Sequence, residues 1–238
     1  MKLPHFFSAL LLVLILCTCG PAPEAPKEMT DAELREHAKA LAHKYLITDG
    51  HVDLPYRLKV KNFRLDKEYL GIPIETDEGD FDYVRSVEGG LDAPFMSIYI
   101  PSRLQQTIGE SPKLADSLIT MVTGIADAHP DKFRITTNTA QLEQNFKDGV
   151  MSLPMGMENG SPIEDKIERV EEYYNKGIRY ITLTHAKDNL ICDSSYDTTR
   201  THNGLSDFGR EVVREMNRVG IMVDISHVSD STFWQVVE

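Results

Sequence analysis

The strongest constraint on the fold is a repeated arrangement in which short apolar runs of strand length are followed by polar clusters, with longer amphipathic segments between them. The runs cover residues 46–48, 93–100, 149–155, 177–183 and 220–225. The clusters are Asp49-Gly50-His51-Val52-Asp53, Gly156-Met157-Glu158-Asn159-Gly160, Thr182-Leu183-Thr184-His185 and Asp224-Ile225-Ser226-His227. Strands alternating with helices imply a parallel sheet. A parallel α/β barrel gathers the residues at the carboxyl ends of its strands into one mouth. Imidazole and carboxylate groups there suit zinc or a similar divalent ion, with open positions for a reactive water.

The intervening segments read as helices. Thr30-Asp31-Ala32-Glu33 is a capping box that opens a helix to about Tyr45, with Leu34, Ala38, Leu41 and Ala42 expected on its apolar face. Leu114, Leu118, Met121, Val122 and Ile125 form a stripe between Pro112 and Pro130, and Ile163, Ile167, Val170 and Tyr174 form another, stopped by Gly177. Ser206 caps a helix carrying Val212, Val213, Met216 and Val219 that Gly220 ends. Residues 133–136 fit a short strand or a loop. The acidic stretch that includes Asp66, Glu68, Glu75, Asp77, Glu78, Asp80 and Asp82 reads as a solvated loop and helix start.

Three segments are expected: a signal over residues 1–19, a tether over 20–29 and a folded domain over 30–238. Lys2 precedes an apolar run over residues 6–16 that fits a secretory signal and is too short to span a membrane comfortably. Leu16-Cys17-Thr18-Cys19 resembles a bacterial lipoprotein signal with Cys19 as the lipidated residue; a plain cleaved signal is the alternative. Pro21, Pro23 and Pro26 then make a stiff tether. The expected location is outside the cytoplasm, in the periplasm or at the cell surface, with Cys19 lipid anchoring the chain without spanning the bilayer. Cys192 would be left as a free thiol, read as a small buried or loop residue rather than a nucleophile or metal ligand. A formal net charge of −12 argues against nucleic acid as a partner.

Each polar cluster taken alone is ambiguous. His51 and Asp53 stand two apart, so on a regular strand both point the same way and either bind one cation or form a structural polar pair. Glu158, between Gly156 and Gly160, is either a solvated loop residue or a carboxylate bridging two metals, and alone it favours the loop. His185 can bind metal or hydrogen-bond a substrate carbonyl as charge develops. His227 can equally be a satisfied histidine at a strand end. Three histidines, one aspartate and one glutamate at four successive strand ends are hard to assign to chance. His5, His37, His43, His129 and His202 lack this context.

The words at 49–55 (Asp-Gly-His-Val-Asp-Leu-Pro), 156–160 (Gly-Met-Glu-Asn-Gly), 183–185 (Leu-Thr-His), 204–209 (Gly-Leu-Ser-Asp-Phe-Gly) and 224–229 (Asp-Ile-Ser-His-Val-Ser) resemble the membrane dipeptidase (renal dipeptidase, peptidase M19) family. The resemblance runs from about Thr30 to Glu238. It implies a metal-dependent (β/α)8 TIM-barrel, related to the amidohydrolases, that hydrolyses dipeptides with two zinc ions. His51 and Asp53 would bind the first zinc, Glu158 would bridge both, and His227 would bind the second. His185 would contact the substrate carbonyl oxygen or the tetrahedral intermediate. A water or hydroxide between the metals would attack the peptide carbon.

The family pattern continues beyond Glu238 with another zinc-binding histidine, a substrate-binding arginine and a late aspartate. The expectation is therefore an incomplete barrel of about five strands, each zinc site short of one protein ligand, and little or no activity for the 238-residue chain alone. Its expected partner is a dipeptide substrate, with a homodimer left open. Alternatives are a lipid-anchored binding or assembly protein retaining half a barrel, and another two-metal amidohydrolase. The His-x-Asp pair fits dipeptidases better than the His-x-His usual in those relatives.

Overall fold

In a computed structural model of the protein, residues 28–62 and 73–238 are described. The signal segment, Cys17 and Cys19, all but the last two residues of the tether, and Asp66 and Glu68 lie outside them. The chain divides into two units, Met1–His37 and Ala38–Glu238. In the first, the capping box forms as expected: the Glu33 amide donates to Thr30 Oγ1, and Glu33 Oε2 accepts from the Thr30 amide at 2.8 Å. Helix α1 (Asp31–Lys44) has no buried residue. The apolar face expected to pack is exposed at Leu34 and Leu41.

The second unit is built on a five-stranded parallel sheet. Its strands are β1 (Thr48–Val52), β2 (Ala93–Tyr99), β5 (Met155–Glu158), β6 (Ile178–Thr182) and β7 (Met222–Asp224), in that spatial order. Between β1 and β2 come two short helices, α2 (Leu54–Val60) and α3 (Tyr83–Gly89). Asp82, the last of the acidic stretch, caps α3 by accepting from the Arg85 amide. Helix α4 (Glu110–Ala128) carries the expected stripe, with Leu118, Met121, Val122 and Ile125 buried.

The apolar run at 149–155 is not one strand, as the sequence suggests, but two. Strand β3 (Phe133–Ile135) settles the strand-or-loop ambiguity there; it is followed by helix α5 (Thr139–Asp148) and pairs in parallel with β4 (Met151–Leu153) in a separate two-stranded sheet. Pro154 has no amide to continue that ladder. Its carbonyl accepts from the Met96 amide at 2.8 Å, and the chain passes into the main sheet as β5.

The second half continues with α6 (Glu168–Asn175), α7 (Asp207–Val219) and α8 (Asp230–Val237). Helix α6 begins later than its apolar stripe implied, because Ile163 belongs to a preceding 3-10 turn and Ile167 is the cap residue. Ser206 caps α7 by accepting from the Gly209 amide, as expected.

Strand periodicity sorts the residues that matter. Ile98, Met157, Ile181 and Val223 stand in register across four strands, and the first three are fully buried in the core with Leu118, Val170 and Val212. Each such side chain contributes roughly 1.5–3 kcal/mol relative to exposure. The next row, Tyr99, Glu158, Thr182 and Asp224, therefore points to the other face. The result is an open parallel half-barrel. Among the described residues, the outer edges of β1 and β7 have no strand partner.

Candidate metal centre

The row that faces away from the helices builds the site. Glu158, the last residue of β5, is only 6 % exposed, so the solvated-loop reading of this carboxylate does not hold. A charge removed from water needs partners. Its two oxygens find them on opposite sides. Oε2 lies 3.3 Å from His51 Nε2, whereas Oε1 lies 3.2 Å from His227 Nε2 and 3.5 Å from His185 Nε2. His51 Nε2 also lies 3.3 Å from Asp53 Oδ1. All five residues singled out in the sequence thus converge.

Local backbone chemistry sets each one in place. His51 lies within β1, and its amide donates to Asp49 Oδ1. Asp53 is the residue between β1 and α2, with Leu54-Pro55 starting the helix. Asp224 accepts from the amide and hydroxyl of Ser226 through Oδ1, while its other oxygen accepts from Thr182 Oγ1. That carboxylate is committed to holding the turn that presents His227. His227 itself has φ of 64°, a left-handed conformation costly for a residue with a side chain.

A long loop between β6 and α7 supports the histidines from outside. Ser194 Oγ donates to the carbonyl of His185, and the Ser195 amide donates to the carbonyl of His227 at 2.8 Å. Asn189 Nδ2 donates to the carbonyl of Leu183 at 2.8 Å and to Asn159 Oδ1 at 3.1 Å, tying this loop to the residue after Glu158. Cys192 in the same loop is fully buried, and burial pushes its thiol up, which suits a packing residue rather than a nucleophile.

The electrostatics suit a cation. Hydrogen bonds to Asp53 and then to Glu158 push His51 up to about 10, so in the metal-free protein a proton there supplies positive charge between two carboxylates. Asp53 is held below the ordinary carboxylate range, chiefly by its hydrogen bond with His51. Burial lowers His185. Two overlapping groups have donor atoms within 4.8 Å of one another: His51, Asp53 and Glu158, and Glu158, His185 and His227. Imidazole nitrogens and carboxylate oxygens in this proportion fit a divalent transition-metal ion.

Two features separate His51 from His185. His51 Nδ1 lies 3.1 Å from Tyr180 Oη, whereas His185 Nδ1 is buried with no hydrogen-bond partner. A ligating imidazole normally has its second nitrogen fixed in this way. Around them stands an aromatic rim: the ring of His185 lies 4.4 Å from that of His227 and 5.0 Å from that of Tyr99, and the exposed Tyr196 lies 5.7 Å from His227. The sequence reading missed Tyr180, Asn159 and the serine pair. Tyr180 is two residues before Thr182, and so on the interior face, a parity that the run 177–183 already contained.

A parallel α/β half-barrel with imidazoles and a buried carboxylate at its strand ends defines a partial TIM-barrel of the metal-dependent kind. The chain belongs to the membrane dipeptidase family, Peptidase family M19, whose model matches residues 35–238. It is 33% identical over 208 residues to an uncharacterized dipeptidase of Schizosaccharomyces pombe, covering 83% of this chain and 50% of that protein. Among solved structures, it resembles the probable dipeptidase PvdM from Pseudomonas aeruginosa, with a TM-score of 0.75 and 20% identity over 87% of this chain and 53% of that one. A metallopeptidase from Rhodobacter sphaeroides, liganded with a phosphinate mimic of the dipeptide L-Ala-D-Ala, matches with a TM-score of 0.69 and 22% identity over 80% and 61% of the two chains. The chain spans about half the length of the relatives it matches.

Proposed function

We propose that this chain carries the metal-binding face of a dipeptidase active site, with zinc as the ion. The observation that supports this most directly is the division of labour in Glu158, one oxygen turned to His51 and the other to His185 and His227. His51 and Asp53 would hold one ion, His227 the other, and Glu158 both. Bound ions would supply Lewis-acid polarisation of a carbonyl and water acidic enough to act as a nucleophile near neutral pH.

The remaining groups act on the substrate. His185 differs from His51 in its buried, unpartnered Nδ1 and is assigned to the carbonyl oxygen of the scissile bond, where a donor counts most as negative charge develops. Tyr99 and Tyr196 flank it and shape the approach of a small substrate. The Asp53 side chain is 63 % exposed, so water reaches the site from the β1 side. An open site weakens each electrostatic contact, and turnover by the 238-residue chain alone is expected to be very low.

A phosphinate dipeptide mimic tests the assignment without relying on turnover. It should bind the zinc-loaded chain and neither the metal-free chain nor Glu158→Gln. Equal binding with and without metal, or none to the loaded chain, contradicts the proposal. We also propose export with Cys19 lipidated, which intact mass of the protein from its native membrane fraction tests.

A further inference from the structure

Tyr180 lies on β6 and His51 on β1, yet their side chains meet at 3.1 Å. Between them in the sheet stand β2 and β5. Three inter-strand steps along a flat sheet are about 14 Å, more than the two side chains bridge comfortably. The contact exists because the sheet curls and the tyrosine crosses its interior.

The passage is opened by a missing side chain. Gly156 pairs directly with Tyr180 in the β5–β6 register and with Ser97 in the β2–β5 register. A Cβ on Gly156 would lie 2.0 Å from Cε1 and Cζ of the Tyr180 ring. The ring therefore occupies the space that any other residue at 156 would fill, with Phe95 on its flank at 5.4 Å between centroids. Tyr180 is 7 % exposed, so its placement is fixed by packing.

We infer that Tyr180 is a positioning residue for the ion held by His51, with Gly156 as the opening through which it reaches. This rests on the metal-centre reading above. For His51 to offer the Nε2 lone pair to a cation, its proton must sit on Nδ1, where Tyr180 Oη accepts it. The phenol thereby selects the tautomer and fixes the ring plane. His185, with no partner on Nδ1, has no such device. The inference accounts for a glycine two residues before the bridging carboxylate and for a tyrosine two residues before Thr182.

The test is zinc titration of the 238-residue chain against a chromophoric competitor, comparing wild type with Tyr180→Phe, which keeps the ring and deletes only the hydroxyl. One of the two ions should bind about 10–100-fold more weakly, while the other keeps its affinity. In the cobalt-substituted protein only one ion's visible absorption should change. Gly156→Ala, which displaces the ring, should weaken the same ion if it folds. Unchanged affinities in Tyr180→Phe, or equal weakening of both ions, would overturn the inference while leaving the metal centre standing. A wild-type chain that binds no zinc at all would remove the metal centre and the inference together.

Discussion

The Ser195 amide donates a 2.8 Å hydrogen bond to the carbonyl of His227, so the loop that follows β6 holds in place the histidine that follows β7. This contact helps to maintain His227 at φ of 64°, a conformation that only glycine adopts freely. Backbone strain of this kind persists where the surroundings over-determine it.

The cost of that strain is measurable. His227→Gly and His227→Ala should both weaken the second ion, but the glycine variant should be more stable than the alanine variant by about 1 kcal/mol. Urea unfolding of the two metal-free proteins gives the comparison. Equal stability would show that the left-handed backbone carries no strain.

Asn159 is fully buried at φ of 76° and makes bonds in three directions: Nδ2 donates to the carbonyl of Ile100, while Oδ1 accepts from the Ser161 amide and from Asn189 Nδ2. Truncation to alanine strands these partners. Asn159→Ala should cost about 2–4 kcal/mol, read from the shift in denaturation midpoint at constant slope. A loss below 1 kcal/mol would mean that the loop does not depend on this residue.

Acid should loosen the same loop. Asp197 accepts from the hydroxyl and amide of Thr199 and from the Asp188 amide, and these bonds, those to Thr199 first, hold its carboxyl at about 2. The folded value lies below the unfolded one, about 3.9. Its contribution is therefore fully present above about pH 4 and is lost as pH falls towards 2. Asp197→Asn should be less stable than wild type at pH 7, with the gap closing between pH 4 and 2. A gap independent of pH would contradict the assignment.

Metal removal should lower stability by linkage. At free zinc one hundredfold above the dissociation constant, a single site adds about 2.7 kcal/mol to unfolding. Wild type should lose this on chelation, as a fall in Tm, and Glu158→Gln should show little change. Identical melting with and without chelator in wild type would argue against a folded-state metal site.

Much of this was legible in the sequence because strand-end polar words and helical apolar stripes are local signals. His51, Asp53, Glu158, His185 and His227 each follow an apolar run, and the structure brings all five together. What escaped was non-local. Whether residues 149–155 form one strand or two depends on which neighbour Pro154 serves, and that neighbour is β2, more than fifty residues earlier. Tyr180 reads as an ordinary strand residue until the curl of the sheet brings it to His51. Glu158 reads as a loop residue because flanking glycines usually mark turns, whereas here Gly156 makes room for Tyr180 and Gly160 for Ile191.

The most direct test is the zinc stoichiometry of the 238-residue chain after equilibrium dialysis, measured on wild type, Asp53→Asn and Glu158→Gln. A carboxylate shared by two ions predicts about two zinc per chain in wild type, about one in Asp53→Asn and close to none in Glu158→Gln. Two ions retained in Glu158→Gln, or none in wild type, would contradict it.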